Sequence, residues 1–174
     1  RLFGFRRLSL PAIDAEDVRT DYVVLTHEHN DHLDPDSLPV IAKNNPACRF
    51  IAASGCAAGL DEAGISPASR VMIEANRHYD LGDFVVQTVP ADHGDQTDKA
   101  LCLLLEFDGV RVFCTGDTAL QTRAIEPLCD PRPDVVLCCI NGGFGNMGHV
   151  DAARMVAHIK PRLAVPCHYW TFAE

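Results

Sequence analysis

Residues 26–34 of the chain are Thr26-His27-Glu28-His29-Asn30-Asp31-His32-Leu33-Asp34. Three imidazoles and a carboxylate thus fall within six residues, in a chain that has eight histidines in all. Imidazole nitrogen and carboxylate oxygen are ligands that Zn²⁺, Mn²⁺ and iron accept in proteins. The stretch predicts a metal site, and this interpretation is stronger than the alternative of a polar surface loop that happens to be rich in histidine.

The residues before this stretch predict how it is presented. Asp21-Tyr22-Val23-Val24-Leu25 is apolar and rich in β-branched side chains, which is typical of a short buried strand. In a loop that leaves the end of a strand, the alternate residues His27 and His29 can face one ion. Asp31 and His32 can then turn toward a second ion a few ångströms away. The stretch therefore favours a site for two ions.

Length and charge exclude several classes of protein. A chain of 174 residues fits a single domain spanning residues 1–174. Its apolar runs are all shorter than the ~20 residues that cross a bilayer, and residues 1–10 lack the apolar stretch of a signal peptide. The net charge of −9 argues against a general nucleic-acid binder, which usually shows a basic stripe. We expect a small-molecule substrate and neither nucleic acid nor membrane as a partner, and a homo-oligomer is left open.

The eight cysteines contain no Cys-x-x-Cys pair, and most of them lie inside apolar runs. Such cysteines are typical of small buried side chains that stay reduced in the cytoplasm. The sequence therefore predicts a cytoplasmic protein without a disulfide framework.

Three later predicted strands also end in a residue type that binds metals. These residues are His93 after the strand 83–89, Asp117 after the strand 110–114, and His168 after the strand 163–165. Each has a plain alternative when taken alone: a loop histidine, a turn former beside a glycine, and a core histidine. Loops at strand ends along one edge of a sheet commonly carry catalytic residues. Together with residues 26–34, the three residues predict one site.

Other elements follow from local patterns. Residues 100–107 and 110–114 form the clearest predicted hairpin, because Asp108-Gly109 suits a two-residue turn. Helices are predicted at residues 36–44, 54–62, 119–128 and 150–159.

The complete set of residues resembles the metallo-β-lactamase fold superfamily, whose signature is His-x-His-x-Asp-His, a downstream His, a bridging Asp and a last His. Within that superfamily the chain most resembles the L-ascorbate-6-phosphate lactonase-like branch of metal-dependent hydrolases. The stretches that carry the resemblance to this branch are residues 26–34, 79–83, 115–118 and 165–169. The resemblance covers nearly the whole chain and implies an α+β fold, an αββα sandwich with a two-metal centre at one edge.

Carried over residue by residue, the resemblance implies a role for each ligand. It implies that the first ion is held by His27, His29 and His93, the second by Asp31, His32 and His168, and both by the bridging Asp117. In one respect the chain departs from the family pattern. Several strands usually precede the motif, whereas 26 residues precede His27 here. We therefore expect a fragment, truncated at both ends and lacking the N-terminal strands.

This ligand set predicts a hydrolase with two divalent ions, zinc or manganese, and iron also fits the ligands. Two ions about 3.5–4 Å apart lower the pKa of a bridging water to near neutrality, which makes a hydroxide nucleophile. They also polarise a carbonyl or phosphoryl oxygen. Asp31 and Asp117 are the predicted catalytic residues, since Asp31 can orient the hydroxide or carry a proton and Asp117 can fix the metal spacing. We expect cleavage of an ester, lactone or phosphoester bond in a small, anionic substrate.

Two residues are predicted to bind that substrate. Asn146 and His149 lie in and just after a glycine-rich loop, where a predicted helix begins. Free N–H groups at a helix N-terminus attract anions, and glycine allows a close approach. The alternative for His149 is a solvent-exposed residue in the first turn of the helix, without a role in binding.

Alternative functions stay open at this point. The same centre could serve a phosphodiesterase or nuclease, although the sequence shows no basic groove. It could serve redox chemistry of the flavodiiron type, although the sequence shows no flavin domain. The chain could also be a truncated metal-binding domain without turnover.

Overall fold

The computed structural model describes residues 6–7, 11–169 and 172–173, and these fall into two compact units. One unit is residues 11–74. The other contains the described residues from 75 onward together with the strand β1 (Arg6–Arg7). Within the described part of the chain, no helix combines the length and apolar character needed to cross a bilayer.

The unit of residues 11–74 is built on a parallel three-stranded sheet. Its elements in chain order are β2 (Tyr22–Leu25), α1 (Ser37–Asn44), β3 (Arg49–Ala53), α2 (Ala57–Glu62) and β4 (Arg70–Ile73). The strand order is β2-β3-β4, with Leu25 opposite Ala52 and Ala53 opposite Ile73. Four consecutive residues of the central strand, 50–53, are buried, as expected where a parallel strand is covered on both faces. Both crossovers contain a helix, which is the usual way to join parallel strands.

The second unit is built on a mixed six-stranded sheet in the order β10-β9-β8-β7-β6-β5. Its elements are β5 (His78–Asp80), β6 (Val85–Pro90), β7 (Leu101–Phe107), β8 (Val110–Cys114), α3 (Thr122–Ile125), β9 (Val135–Cys139), α4 (His149–Ile159) and β10 (Leu163–Cys167). Strands β5 to β8 pair antiparallel, whereas β8, β9 and β10 pair parallel. Strands β6, β8, β9 and β10 therefore all run in one direction, and their carboxyl ends lie at one edge of the sheet. A separate antiparallel pair joins β1 to β11 (Phe172–Ala173).

The core of the second unit lies between this sheet and α4. Leu104, Phe113 and Val136 are neighbours across three adjacent strands, and each is at most 1% exposed. Met155 and Ile159 of α4 belong to the same buried cluster. The apolar stripe of the helix covers the apolar face of the sheet, which stabilises both elements by removing their surfaces from water.

The predicted hairpin is confirmed, with Asp108 at φ 51° and Gly109 at φ 75°. Positive φ at both central residues is the signature of the type I′ turn, which explains the Asp-Gly pair. The helix predicted over residues 119–128 was too long, because its α-helical part is α3 alone, followed by a 3-10 turn at Glu126–Leu128. The N–H of Ala119 donates to the carbonyl of Asp92 at 2.6 Å, so the segment before α3 is hydrogen-bonded to the loop that carries His93. Ahead of the histidine-rich motif, the described residues contain β1 and β2.

Candidate metal centre

The histidine-rich motif leaves the carboxyl end of β2, as the sequence predicts. The loop turns at once, because the N–H groups of His32 and Leu33 both donate to the carbonyl of His29, at 2.8 and 2.7 Å. Leu33 is 3% exposed and anchors the turn in the core of its unit. His27 is fully buried, and its Nδ1 lies 3.0 Å from the hydroxyl oxygen of Thr26. This contact fixes the imidazole ring and directs its other nitrogen, Nε2, toward the rest of the motif.

The four predicted ligands of the motif lie together. The Nε2 atom of His27 lies 3.0 Å from Nδ1 of His29, and the ring centroids of His27 and His32 are 4.1 Å apart. The Nε2 atom of His32 lies 3.7 Å from Oδ2 of Asp31. Within each of these three pairs, a ligand atom of one residue lies within 4.8 Å of one of the other. Two ligands at ~2.1 Å from a tetrahedral zinc ion are about 3.4 Å apart, so these side chains fit a metal.

The second unit brings its three predicted ligands together around one carboxylate. Oδ2 of Asp117 lies 3.8 Å from Nε2 of His93 and 3.4 Å from Nε2 of His168. These residues follow β6, β8 and β10, whose carboxyl ends share one edge of the sheet. His93 is 2% exposed and Asp117 is 4% exposed. A carboxylate so deeply buried needs positive or hydrogen-bonding groups around it, and these separations again suit the ligands of one ion.

Hydrogen bonds hold the loops of His93 and Asp117 in fixed positions. The hydroxyl of Thr118, next to Asp117, accepts from the N–H of Asp92, next to His93, at 3.0 Å. The amide of Gln121 donates both to the Thr118 hydroxyl and to the carbonyl of Pro90, each at 2.9 Å. Both ligands are therefore tied to the same small network. Sequence reasoning missed this network, because no local pattern encodes contacts between residues 26 to 31 positions apart.

His168 has an unusual backbone for a residue with a side chain. Its φ is 58°, in the left-handed region that favours glycine. Non-glycine residues in this region cluster at functional sites, because the surrounding structure must hold them there. The chain turns at His168, directly after β10, and Nε2 of its imidazole lies 3.4 Å from Oδ2 of Asp117.

The glycine-rich loop, residues 141–148, connects β9 to α4 and lies against the second ligand set. A bridge between Asn141 and Gly148 closes it, and the N–H of Gly142 donates to the carbonyl of Met147 at 3.0 Å. Gly145 has φ 83°, and a Cβ atom there would lie 3.5 Å from the backbone of His93. Glycine therefore meets two needs at this position, the left-handed backbone and the close approach to a ligand residue.

The two predicted substrate-binding residues differ in their surroundings. Asn146 is 8% exposed, and its amide nitrogen donates to Oδ2 of Asp117 at 2.7 Å. His149 is exposed and is the first residue of α4, directly after the N-cap residue Gly148. The contact between Asn146 and Asp117 was missed by sequence reasoning. Substrate binding by either residue stays a prediction.

All eight cysteines are free thiols, and none of them is in a disulfide. Burial raises the pKa of the Cys139 thiol, and the carboxylate of Asp117 raises that pKa further. Burial likewise raises the pKa of the Cys56 thiol to about 12, with a further contribution from Glu28. Both thiols therefore stay protonated at neutral pH, in a form that binds metal poorly.

Comparison with known proteins identifies the family. Residues 2–169 match the β-lactamase superfamily domain, so the chain belongs to that family. It is 32% identical over 164 residues to a UPF0173 metal-dependent hydrolase of Natranaerobius thermophilus, an alignment that covers 92% of this chain and 70% of that relative. It is 31% identical over 172 residues to a UPF0173 metal-dependent hydrolase of Archaeoglobus fulgidus, with 92% and 71% covered.

Solved structures show the same fold. The structure is similar to Igni18, a metallo hydrolase of Ignicoccus hospitalis, with a TM-score of 0.71 and 23% identity over 91% of this chain and 70% of that one. It is also similar to the metallo-β-lactamase fold protein YhfI of Bacillus subtilis, with a TM-score of 0.70, 16% identity, and 91% and 67% covered. The predicted fold class, the metallo-β-lactamase type, is thereby confirmed.

Proposed function

We propose that this chain is a metal-dependent hydrolase that cleaves an ester, lactone or phosphoester bond of a small anionic substrate. The observation that carries the proposal is the buried Asp117 carboxylate with the Nε2 atoms of His93 and His168 at 3.8 and 3.4 Å. A buried carboxylate is costly unless positive or hydrogen-bonding groups surround it, and a metal ion shared with the two imidazoles would meet that need. The names of the relatives, metal-dependent hydrolases, support the same chemistry.

We further propose that the two ligand sets supply the same pair of ions. One set is His27, His29, Asp31 and His32, and the other is His93, Asp117 and His168. The proposal rests on donor chemistry and on membership of the family, since seven imidazole and carboxylate ligands suit two ions of borderline character. Zinc and manganese both accept such ligands, and iron does so as well.

When bound, two such ions would supply a nucleophile from water at neutral pH and would polarise the scissile bond. The chain's own residues have distinct tasks in this scheme. The side chain of Asp31 is 42% exposed, so its carboxylate can reach a substrate and carry a proton to the leaving oxygen. Asp117 is 4% exposed and would help to hold the two ions in place from the buried side of the site.

Metal content is the direct test of both proposals. Protein expressed with added zinc or manganese and purified without chelator should contain about two transition-metal ions per chain, measured by elemental analysis. His29→Ala, from the first set, and His168→Ala, from the second, should each lower that number. His158→Ala is the matched control, because His158 is paired with Glu126 on the surface and belongs to neither set.

The outcomes separate the proposals. Absence of metal from the supplemented wild-type protein would contradict the metal centre. If the wild-type protein binds two ions and His168→Ala keeps both, the second set does not contribute, and the joint site is wrong.

Substrate class is tested by turnover with and without a chelator. The panel contains lactones, carboxylic esters, phosphodiesters and β-lactams, each assayed before and after metal removal and after metal is restored. Chelator-sensitive turnover of a lactone or ester supports the proposal. Turnover of phosphodiesters alone would favour the phosphodiesterase alternative, and no turnover by metal-loaded protein would favour a metal-binding domain.

His149 gives a sharper prediction about the charge of the substrate. If His149 and the start of α4 hold an anionic group, His149→Ala should raise KM for an anionic substrate by roughly 2- to 10-fold, the range for loss of one hydrogen bond. Metal content and the KM of a neutral substrate should stay unchanged. Steady-state kinetics on a matched pair of substrates is the measurement, again with His158→Ala as the control. Loss of metal in this variant would instead identify His149 as a metal ligand. Unchanged kinetics on both substrates would show that His149 has no role in substrate binding.

A further inference from the structure

Asn146 has a buried side-chain amide that is hydrogen-bonded to the predicted metal ligand Asp117. Its amide nitrogen donates to Oδ2 of Asp117 at 2.7 Å, which is the length of a strong hydrogen bond to a charged acceptor. The same oxygen faces the Nε2 atoms of His93 and His168. The other polar atom of Asn146, Oδ1, is also buried, and no hydrogen-bond partner for it is found among the described residues. The side chain is thus turned toward Asp117 and away from solvent.

The glycine-rich loop fixes Asn146 in this position through its backbone. The N–H of Asn146 donates to the carbonyl of Gly143 at 3.0 Å. The next residue, Met147, is 1% exposed, and its N–H donates to the carbonyl of Thr118 at 2.8 Å. On the other side, Gly145 packs against the backbone of His93. Asn146 is therefore held between a core anchor and a close backbone contact, and its amide has little freedom to move.

We propose that Asn146 is a positioning residue, which fixes the carboxylate of Asp117 in the orientation that metal binding requires. The inference rests on the proposed metal centre and extends it to a residue that binds no ion itself. Groups that orient a metal ligand typically change metal affinity by 10- to 100-fold when removed. An amide suits this task because it donates a hydrogen bond without adding charge. An aspartate of the same shape would instead face Asp117 with a second carboxylate.

The experiment measures metal affinity rather than turnover alone. Wild-type protein and the variants Asn146→Ala, Asn146→Asp and Asn146→Ser are stripped of metal and titrated with zinc against a chromogenic chelator. Asn146→Ala should weaken the binding of at least one ion by 10- to 100-fold, and Asn146→Asp should weaken it at least as much. Asn146→Ser keeps a hydroxyl donor and should restore part of the affinity. The melting temperature of each metal-free variant is recorded in parallel.

Asn141→Ala is the matched control, because Asn141 lies in the same loop and its amide donates to the Gly143 carbonyl rather than to Asp117. Its zinc affinity should equal that of the wild-type protein. If Asn146→Ala and Asn141→Ala lose affinity equally, general loop integrity is responsible and the inference is overturned. If Asn146→Ala fails to fold, the comparison of Asn146→Asp with Asn146→Ser decides, since equal affinities in these two variants would also overturn it.

Failure of the inference is distinguishable from failure of the proposed function. Wild-type protein that binds no zinc contradicts the metal centre itself. Wild-type protein that binds two ions, with unchanged affinity in all Asn146 variants, overturns only the positioning role. A raised KM with unchanged zinc affinity would make Asn146 a substrate contact instead and would likewise overturn it.

Discussion

Replacing Asp117 with alanine is expected to remove metal and activity together. Asp117 is 4% exposed, and its Oδ2 accepts a hydrogen bond from the amide of Asn146 at 2.7 Å. The same oxygen lies 3.8 Å from Nε2 of His93 and 3.4 Å from Nε2 of His168. Its loss would leave two imidazoles without the carboxylate on which they converge. We expect the metal content to fall from about two ions toward one or none. We also expect kcat/KM to fall by at least about 100-fold, the upper range for changes that act on a metal ligand indirectly.

Asp31→Ala provides the contrast within the proposed two-ion site. Because the side chain of Asp31 is 42% exposed, its removal should cost turnover more than it costs the first ion, for which three histidines would remain. Elemental analysis and steady-state kinetics on both variants measure the two effects separately. Asp95→Ala, at an exposed position in the loop after His93, is the control for loss of a carboxylate. If both Asp117→Ala and Asp31→Ala kept two ions and full activity, both assignments would be refuted.

The largest expected effect on stability is that of Phe113→Ala. Phe113 is 1% exposed and lies between Leu104 and Val136 in the centre of the six-stranded sheet. Removing a buried phenyl ring loses its transfer free energy and leaves a cavity, which together destabilise a protein by about 3–5 kcal/mol. We expect the free energy of unfolding, measured by urea denaturation, to fall by that amount. Because most small domains are only about 5–15 kcal/mol stable, the variant should be near the limit of folding.

Phe107→Ala is the matched control for this change. Phe107 belongs to the same hairpin but is 43% exposed, so its truncation removes less buried surface and leaves no closed cavity. Its expected cost is about 1 kcal/mol or less. Equal losses in the two variants would show that the ring of Phe113 is not the centre of the core.

The sequence predicted those parts of the fold that depend on local patterns. The β2 strand, the Asp108-Gly109 turn and the strand ends that carry His93, Asp117 and His168 all follow from short-range chemistry. Strand β5 was missed, because His78-Tyr79-Asp80 offers neither an apolar run nor a clear alternation. The start of the helix after Asp117 was misplaced, because α3 begins only at Thr122 and the segment before it is bonded to Asp92, 27 residues before Ala119 in the chain.

In the candidate site too, the sequence predicted what depends on local patterns and missed what depends on long-range contacts. The metal-ligand types were visible in the sequence, because histidine and aspartate at strand ends have a chemical meaning of their own. Asn146 was predicted to bind substrate from its place in a glycine-rich loop. Its bond to Asp117 joins residues 29 positions apart, and no local pattern encodes such a contact. Positions of this kind depend on how the strands pair, which becomes visible only in the folded chain.

The placement of His93, Asp117 and His168 on β6, β8 and β10 has a consequence for folding kinetics. In the sheet these strands are separated by β7 and β9, so the three ligands cannot converge until five strands have paired. An ion could bind this set only at a late stage, after most of the sheet has formed. Interactions that form after the folding transition state slow unfolding and leave the folding rate nearly unchanged. A bound ion would therefore slow the unfolding of this sheet and lengthen the lifetime of the folded state, with little effect on the folding rate.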